Sequence, residues 1–391
     1  MSSMTSSTPT FWVGLDVHKD SLTAAVSRGR DPEPMRVDRL PNDHKRIRRY
    51  FQRLCRAGAP GAARVCYEAS GAGYVLQRAL EEWGIPCDLA APSLIPRRPG
   101  EHQKTDRRDA IKIARDYRDN RLVLIHVPTE ADERVRDLVR CRETFQRELI
   151  KSRHYILKFL RRRGFIYRQG THWTTRHMNW IRQVLQPGTL AEEDHTVLAE
   201  YFALLEYKLQ RRDELDRRIE ELALTPRYKP VVDRITCFRG FKTHAAMVLA
   251  TELGDFRRFE NPRQLMAYLG LVPGEDSSGD RRRQGPITKA GNARCRHVLV
   301  QAAWCYRRRP AVGASLKRRQ QGQDPSLIAH AWKCQHRLHK VFHRLAARKP
   351  RQVAATAVAR ELVGFLWAVL QDIDITQLSE THQDQEDAHA A

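Results

Sequence analysis

Four carboxylates occupy positions from which they could act together on a metal ion. Asp16 ends an apolar run at residues 11–16, and Glu68 ends another at residues 63–68. Asp106 and Asp109 are three residues apart, a spacing that places two side chains on one face of a helix. Carboxylate oxygens are the ligands that hard cations such as Mg²⁺ prefer. Cations held in this way activate the attacking oxygen and stabilise the leaving oxygen of phosphodiester chemistry, which is the chemistry these residues predict.

Each carboxylate taken alone also fits a structural role. Asp106 lies in a basic run at residues 104–109, where it could cap a helix or pair with a neighbouring arginine. Asp16 could simply open a turn. A strand-end Asp, a later strand-end Glu and an Asp-x-x-Asp helix, in this order, form a more specific pattern. This is the order that a ribonuclease-H-like nuclease domain requires.

Composition narrows the class of partner. The 391 residues suggest two or three domains, and 69 Lys and Arg against 46 Asp and Glu give a net charge of +23. Such an excess favours nucleic acid through counterion release. No apolar stretch approaches the length of a membrane span, and the N-terminus lacks a signal-peptide pattern. The eight cysteines are scattered without Cys-x-x-Cys spacing. We therefore expect a cytoplasmic protein with no membrane partner.

The elements that must position the carboxylates follow from the alternation of apolar residues. Residues 1–10 are predicted to be a disordered tail. Residues 11–125 are predicted to form an α/β domain of the RuvC or ribonuclease-H-like class, beginning with antiparallel strands and continuing through strand–helix–strand crossovers. Strands are expected at 11–17, 21–27, 35–40, 63–68 and 87–91, and helices near 43–57, 73–84 and 106–118.

The remainder of the chain reads as mainly helical. Apolar residues recur at helical spacing over 129–225, in two long helices, of which the second is charge-rich and is broken by Pro226 and Pro230. Such helices could form a coiled coil or a dimer seam, or an intramolecular hairpin, and the pattern leaves both open. Residues 231–371 are predicted to form a mainly α C-terminal domain. Residues 372–391 are acidic, without Lys or Arg, and are predicted to be a disordered tail.

A second candidate site lies in the C-terminal domain. Residues 235–253 resemble a helix-hairpin-helix whose turn, with Gly240 and Lys242, would meet backbone phosphates. Arg239 stands where the first glycine of such a turn is usual, which weakens the signal.

A serine loop follows the hairpin segment. Ser277 and Ser278 lie between Gly274 and Gly279, with Arg281, Arg282 and Arg283 directly after and Lys289 further on. A serine in this setting has the form of a nucleophile facing a phosphate. The alternative is a solvated turn whose basic run binds nucleic acid without chemistry, and the residues alone favour this alternative.

Taken together, these motifs resemble the DEDD transposases of the insertion-sequence 110 family over about residues 11–371. The segments that carry the resemblance are Gly14-Leu15-Asp16-Val17-His18-Lys19, Tyr67-Glu68-Ala69, Lys104-Thr105-Asp106-Arg107-Arg108-Asp109-Ala110, Leu269–Pro273 with Ser277-Ser278-Gly279, and Ile287–Asn292.

The resemblance implies a RuvC-like domain, a coiled-coil connection and a C-terminal transposase domain. It implies Asp16, Glu68, Asp106 and Asp109 as catalytic acids that hold Mg²⁺, and a catalytic serine in the Ser-Gly motif. We assign Ser278, the residue immediately before the glycine, with Ser277 as the alternative. The nucleic-acid contacts expected around these groups are Lys104, Arg107, Arg108, Gly240, Lys242, Arg281, Arg282, Arg283 and Lys289.

The implied reaction is excision and insertion of a mobile DNA element. The serine would become joined to a DNA 5′ end, and a released 3′ hydroxyl would later reverse the step. A structured bridge RNA as guide and a homo-oligomer, dimer or tetramer, are implied as partners. Two other classes fit the residues less fully: a Holliday-junction-resolvase-like nuclease that uses water, and a nucleic-acid-binding protein without catalysis.

Overall fold

The computed structural model describes residues 11–29, 31, 33–56, 62–96, 105–275 and 284–374. The chain divides between Pro128 and Thr129 into two compact units, each with its own core. The predicted N-terminal tail and residues 375–391 of the predicted acidic tail lie outside the described residues.

The first unit is built on a five-stranded mixed sheet of order β3-β2-β1-β4-β5. Its strands are β1 Phe11–Val17, β2 Ser21–Arg28, β3 Arg36–Pro41, β4 Ala63–Glu68 and β5 Cys87–Ala90. β1, β2 and β3 pair antiparallel, whereas β4 pairs parallel with β1 and β5 parallel with β4. The predicted mixed α/β domain is confirmed, and this sheet is consistent with a RuvC-like fold.

Helices cover both faces of this sheet. Helices α1 (His44–Arg56) and α2 (Val75–Glu82) pack on one face, where Ile47, Phe51 and Leu80 join the side chains of Val13 and Leu15. Helix α3 (Asp106–Arg118) packs on the other face. The alternation of side chains along β1 therefore assigns odd-numbered residues to α1 and α2, and even-numbered residues to α3.

The second unit begins with a helical hairpin. Helices α4 (Glu130–Arg162) and α6 (Glu192–Ala223) run antiparallel, with the shorter α5 (Thr175–Val184) packed against them. Arg142 pairs with Asp216 near one end, and Arg163 pairs with Asp194 near the other. Of the two arrangements left open by the sequence, the structure has the intramolecular hairpin. Association of the hairpin with a second chain stays a prediction.

The remainder of the second unit is mainly helical, as predicted. Its helices are α7 Lys229–Thr236, α8 Thr243–Leu253, α9 Pro262–Tyr268, α10 Ala293–Ala303, α11 Ala314–Gln320, α12 Pro325–Ala346 and α13 Arg351–Leu370. A two-stranded ribbon, β6 (Pro273–Glu275) with β7 (Gln284–Ile287), interrupts them. The sequence predicted only a non-helical stretch there.

One helix corrects an expectation from the sequence. In length and composition α13 is apolar enough to cross a membrane, although no such stretch was expected. Core helices of folded domains pass the same test. Val358, Leu362 and Leu366 of α13 are buried in the main core of the second unit, so we read α13 as a core helix.

Candidate active site

The acidic site forms where α3 crosses β1 at close range. A Cβ on Gly14 would lie 2.2 Å from the carbonyl oxygen of Ala110 and 2.3 Å from the nitrogen of Ala114. The glycine in β1 and the alanines in α3 therefore let the helix backbone touch the strand. Asp16, two residues after Gly14 on the same face, is brought beside the first turn of α3, which carries Asp106 and Asp109.

The start of α3 is fixed by its own sequence. Thr105 has extended backbone angles, and its side-chain oxygen accepts a hydrogen bond from the backbone N–H of Arg108, as an N-cap does. Asp106 and Asp109 then fall in the first turn, where the positive end of the helix dipole stabilises negative charge. The sequence left open that Asp106 caps a helix. The cap of α3 is Thr105 instead.

His18 links the two elements. Its Nε2 lies 3.3 Å from Oδ2 of Asp16 and 3.4 Å from Oδ1 of Asp106. Potential ligand atoms of these three residues all lie within 4.8 Å of one another, close enough for one metal ion. His18 was not among the site residues predicted from the sequence. The available signal was its position two residues after the strand-end aspartate.

Glu68 is placed beside Asp16 by strand register. β1 and β4 pair in parallel as far as Leu15 with Tyr67, so that Asp16 and Glu68 follow as the next neighbours. Cys66 of β4 packs with Ile113 of α3, and Glu68, two residues on, projects from the same face. Glu68 is exposed and lies outside the group formed by Asp16, His18 and Asp106.

The electrostatics of Asp16 are those of a crowded carboxylate. Burial raises the pKa of Asp16 above its ordinary value, and the negative charges of Asp106 and Asp109 raise it further. His18 opposes this shift. A divalent cation would relieve the repulsion, and its binding would displace any proton that Asp16 carries.

The donor set fits a hard divalent cation. Asp16 and Asp106 could supply oxygen ligands, which suit Mg²⁺ and Mn²⁺, and the imidazole of His18 is a ligand type that suits transition metals. The crowding of like charges around Asp16 is the observation that supports such an ion, because neighbouring carboxylates cannot all ionise without compensation.

A groove of about 500 Å³ opens beside the acidic cluster, between β3 and the start of α3. Asp106 and Arg107 line one side of it, and Arg39 of β3 lines the other. Arg107 and Arg108, both expected to contact nucleic acid, are exposed here. Lys104, the third residue of that prediction, lies outside the described residues.

The serine loop itself lies outside the described residues, including Ser277, Ser278, Arg281, Arg282 and Arg283. The structure does describe the ribbon β6–β7 that leads into and out of it, and the backbone contacts at the base of this ribbon. A Cβ on Gly270 would lie 2.2 Å from the oxygen of Ala290, and one on Gly291 would lie 1.9 Å from the oxygen of Tyr268. Both residues also have positive φ, so only glycine is accommodated at either position.

A buried network holds the C-terminal end of the same ribbon. Asn292 caps α10, since its Oδ1 accepts hydrogen bonds from the backbone of Arg294 and Cys295. Its Nδ2 donates to Glu252, 2.7 Å away, whose side chain is 2% exposed and forms a two-pronged ion pair with Arg140. Burial by itself would raise the pKa of Glu252, but Arg140 and Asn292 hold it below the ordinary value.

The other predicted nucleic-acid contacts have different settings. Lys289 is exposed with positive φ, and its backbone N–H donates to Gly270. Lys242 is exposed at the turn between α7 and α8. Gly240, in the same turn, lies against the backbone of Ala302 in α10, where a Cβ would come within 2.8 Å. The need for glycine at this position therefore comes from packing and from its positive φ.

Arg239, the unexpected residue of this turn, has an internal role. Its Nη1 donates to the carbonyl oxygen of Arg309 at 2.7 Å. The side chain thus satisfies a backbone carbonyl of the segment after α10. This explains the arginine without reference to a ligand.

Three features define the class of the first unit. They are the sheet order, the carboxylates at the ends of β1 and β4, and the helix that carries two further aspartates. The first unit is a mixed α/β domain, consistent with a RuvC-like transposase domain, that carries an acidic cluster. Residues 13–163 match the family profile of the DEDD transposases of IS110, described as transposase. Residues 232–317 match a second profile, described as transposase IS116/IS110/IS902 family.

Curated relatives agree over most of the chain. A putative transposase, y4qE, of Sinorhizobium fredii is 37% identical over 363 residues, covering 92% of this chain and 88% of the relative. The transposase for insertion sequence element IS1533 of Leptospira borgpetersenii is 29% identical over 344 residues, covering 87% and 98%. A probable family 20 transposase of Pseudomonas aeruginosa is 25% identical, covering 92% and 96%. The chain belongs to the IS110 family of transposases.

Proposed function

We propose that this transposase cleaves and exchanges DNA strands through a serine nucleophile assisted by its acidic cluster. The observation that carries the proposal is the convergence of Asp16, His18 and Asp106 beside Asp109, in a chain whose family is one of transposases. Asp16, Glu68, Asp106 and Asp109 are the proposed ligands of Mg²⁺. When bound, the ion supplies positive charge to the scissile phosphate and to the departing oxygen.

In the proposed step the hydroxyl of Ser278 attacks the phosphorus in line. The Ser278 Oγ–P bond forms and the P–O3′ bond of the DNA breaks. The serine proton would pass to a base, either a carboxylate or water, and the departing 3′ oxygen would take up a proton. A free 3′ hydroxyl later reverses these bond changes, so the phosphodiester is restored without a high-energy cofactor. Neutral serine needs such a base, because its hydroxyl is otherwise a weak nucleophile.

The surroundings supply the charge that a DNA strand requires. Arg39 and Arg107 border the groove beside the acids. In the second unit, Lys242 and Lys289 are exposed, and Arg281–Arg283 follow the serines in sequence. Arginine binds phosphate oxygens with two parallel hydrogen bonds, and lysine acts as a point charge.

The test follows labelled DNA on denaturing gels after reaction with Mg²⁺. Wild-type protein should give an adduct that protease removes, and Ser278→Ala should give none while still binding DNA. Ser277→Ala is the matched control and should keep the adduct. Asp106→Asn should reduce cleavage by at least about 100-fold, more than loss of a supporting residue usually costs. Cleavage with no adduct in any variant would favour the water-using nuclease, and full activity in EDTA would exclude the metal role.

We also propose that a structured RNA encoded with the element guides the protein. The net charge of +23 supports a polyanionic partner beyond the DNA in the active site. Protein purified from cells that carry the whole element should contain one discrete RNA. Recombination should stop after ribonuclease treatment and return when that RNA is added back. Equal recombination by treated and untreated protein would contradict RNA guidance.

A further inference from the structure

His18 is held at the end of β1 by contacts that lie outside the acidic cluster. Its backbone N–H donates a hydrogen bond to the carbonyl oxygen of Ser21, 2.9 Å away across the turn between β1 and β2. Its own carbonyl oxygen accepts a hydrogen bond from Nδ2 of Asn42, also at 2.9 Å. The backbone that carries the imidazole is therefore fixed, while the side chain is 53% exposed and open to an entering ion.

The distances between the imidazole and two aspartates distinguish a simple ion pair from a set of metal ligands. Nε2 of His18 lies 3.3 Å from Oδ2 of Asp16 and 3.4 Å from Oδ1 of Asp106. A hydrogen bond between an imidazolium and a carboxylate is usually about 2.7–2.9 Å long. Two ligands in adjacent positions around one ion, each about 2.1 Å from it, are about 3.0–3.4 Å apart. Both distances are thus those expected between donors around a common ion.

The other two carboxylates of the site do not share this arrangement. Among the described residues, Asp16, His18 and Asp106 form the group whose potential ligand atoms all lie within 4.8 Å of one another, and Glu68 and Asp109 lie outside it. Asp106 and Asp109 already crowd Asp16 with negative charge. A neutral imidazole completes a set of three donors without adding to this repulsion, as a further carboxylate would.

We infer that Nε2 of His18 is a direct ligand of the ion held by Asp16 and Asp106, and that this nitrogen donor makes the site favour first-row transition-metal ions over Mg²⁺. The inference rests on the proposed function to the extent that the latter assigns Asp16 and Asp106 as metal ligands. Mg²⁺ is bound through oxygen atoms and keeps several of its waters, whereas imidazole suits transition metals. A nitrogen donor therefore separates the two classes of ion more strongly than carboxylates alone.

The test measures metal binding to the full chain without DNA, so its result does not depend on cleavage or on the serine. Mn²⁺ is added in equimolar amount, and pulsed electron paramagnetic resonance detects a directly bound imidazole through the nuclear spin of its nitrogen. Affinities for Co²⁺ and Mg²⁺ are measured by titration calorimetry.

Two variants are compared with wild type. His18→Gln places an amide near the position of Nε2 and offers an oxygen donor instead of a nitrogen donor. His44→Gln is the matched control, because His44 is also an exposed histidine of the first unit but lies on α1, against the ring of Trp83.

Wild type and His44→Gln should give the nitrogen signal, and His18→Gln should lose it. His18→Gln should also bind Co²⁺ at least about tenfold more weakly. Its affinity for Mg²⁺ should change less than about threefold, because Mg²⁺ accepts an oxygen donor at this position.

Three results would overturn the inference. They are a wild-type protein without the nitrogen signal, a signal that persists in His18→Gln, and unchanged Co²⁺ affinity in that variant. Equal losses of affinity for Co²⁺ and Mg²⁺ would also overturn it, since His18 would then only position the two aspartates. Absence of the serine adduct in the gel experiment would contradict the proposed function and leave the metal-binding result standing.

Discussion

At the scale of single residues, the acidic site depends on Gly14, which has no side chain. Gly14 lets the backbone of α3 lie directly on β1, and Asp16 reaches Asp106 only because of this contact. The neighbours of the missing Cβ are backbone atoms of Ala110 and Ala114, which cannot rotate away as a flexible side chain would. The geometry of the acids is therefore encoded two residues upstream of the first acid.

Gly14→Ala should separate α3 from the sheet and disable the site. The added Cβ would cost about 1–3 kcal/mol of stability through overpacking. A displacement of about 1 Å between Asp16 and Asp106 should reduce Mg²⁺-dependent cleavage roughly 100-fold. Calorimetry of the full chain and the cleavage assay measure the two effects.

Gly71→Ala is the matched control for that change. Gly71 lies in the same unit, has no positive φ, and nothing lies within 4 Å of its Cβ position. It should keep both stability and cleavage. A Gly14→Ala protein with wild-type cleavage would mean that the close contact between β1 and α3 does not govern the site.

At the scale of elements, the base of ribbon β6–β7 is held by Asn292, which caps a helix and also binds a buried carboxylate. Asn292 caps α10 with its oxygen and satisfies buried Glu252 with its nitrogen. Arg296 adds hydrogen bonds to the carbonyl oxygens of Leu269 and Ala290, on either side of the ribbon. Loss of Asn292 therefore leaves both a helix end and a buried carboxylate short of partners.

Asn292→Ala should cost about 2–3 kcal/mol, the sum of a lost cap and a buried acceptor left with one donor fewer. Asn261→Ala is the control, because Asn261 caps α9 by accepting a hydrogen bond from the backbone of Gln264 at an exposed site. It should cost only about 1 kcal/mol. Thermal unfolding of the second unit measures both. Equal losses would show that the contact with Glu252 adds nothing to the cap.

The elements also show how far sequence reasoning reaches. The strands of the first unit and α3 follow from the local alternation of apolar residues, so their order and approximate bounds could be predicted. The role of His18 could not, because it depends on α3 returning to the end of β1. The internal use of Arg239 depends in the same way on a carbonyl 70 residues away in the chain. Ribbon β6–β7 is too short for a periodic signal.

At the scale of the whole molecule, some arginines and lysines among the described residues form ion pairs and others are exposed without one. Many arginines of the helical hairpin are neutralised in place, as Arg142 is by Asp216 and Arg163 by Asp194. Lys45, Arg46, Arg49 and Arg53 of α1 are exposed instead. The net charge of +23 is therefore a poor guide to where nucleic acid binds. Ion pairs neutralise part of the positive charge. The surfaces that remain available to nucleic acid are those whose cationic side chains lie outside such pairs.

The last prediction concerns the number of chains in the working assembly. Each chain carries one set of four acids and one Ser-Ser-Gly motif, whereas excision of an element must break DNA at two ends. The hairpin of α4 and α6 leaves Tyr155 and Leu204 exposed, at 51% and 42%, which gives a second chain apolar surface to bury. We therefore expect light scattering of the protein bound to nucleic acid to give the mass of at least two chains.

Tyr155→Ser with Leu204→Ser should lower that mass while leaving the fold of the hairpin intact, because both side chains lie largely outside its core. Ile166→Ser, at another exposed apolar site, is the control and should keep the assembly. A complex that recombines DNA and has the mass of one chain would contradict the oligomer, and each chain would then have to cut several strands in succession.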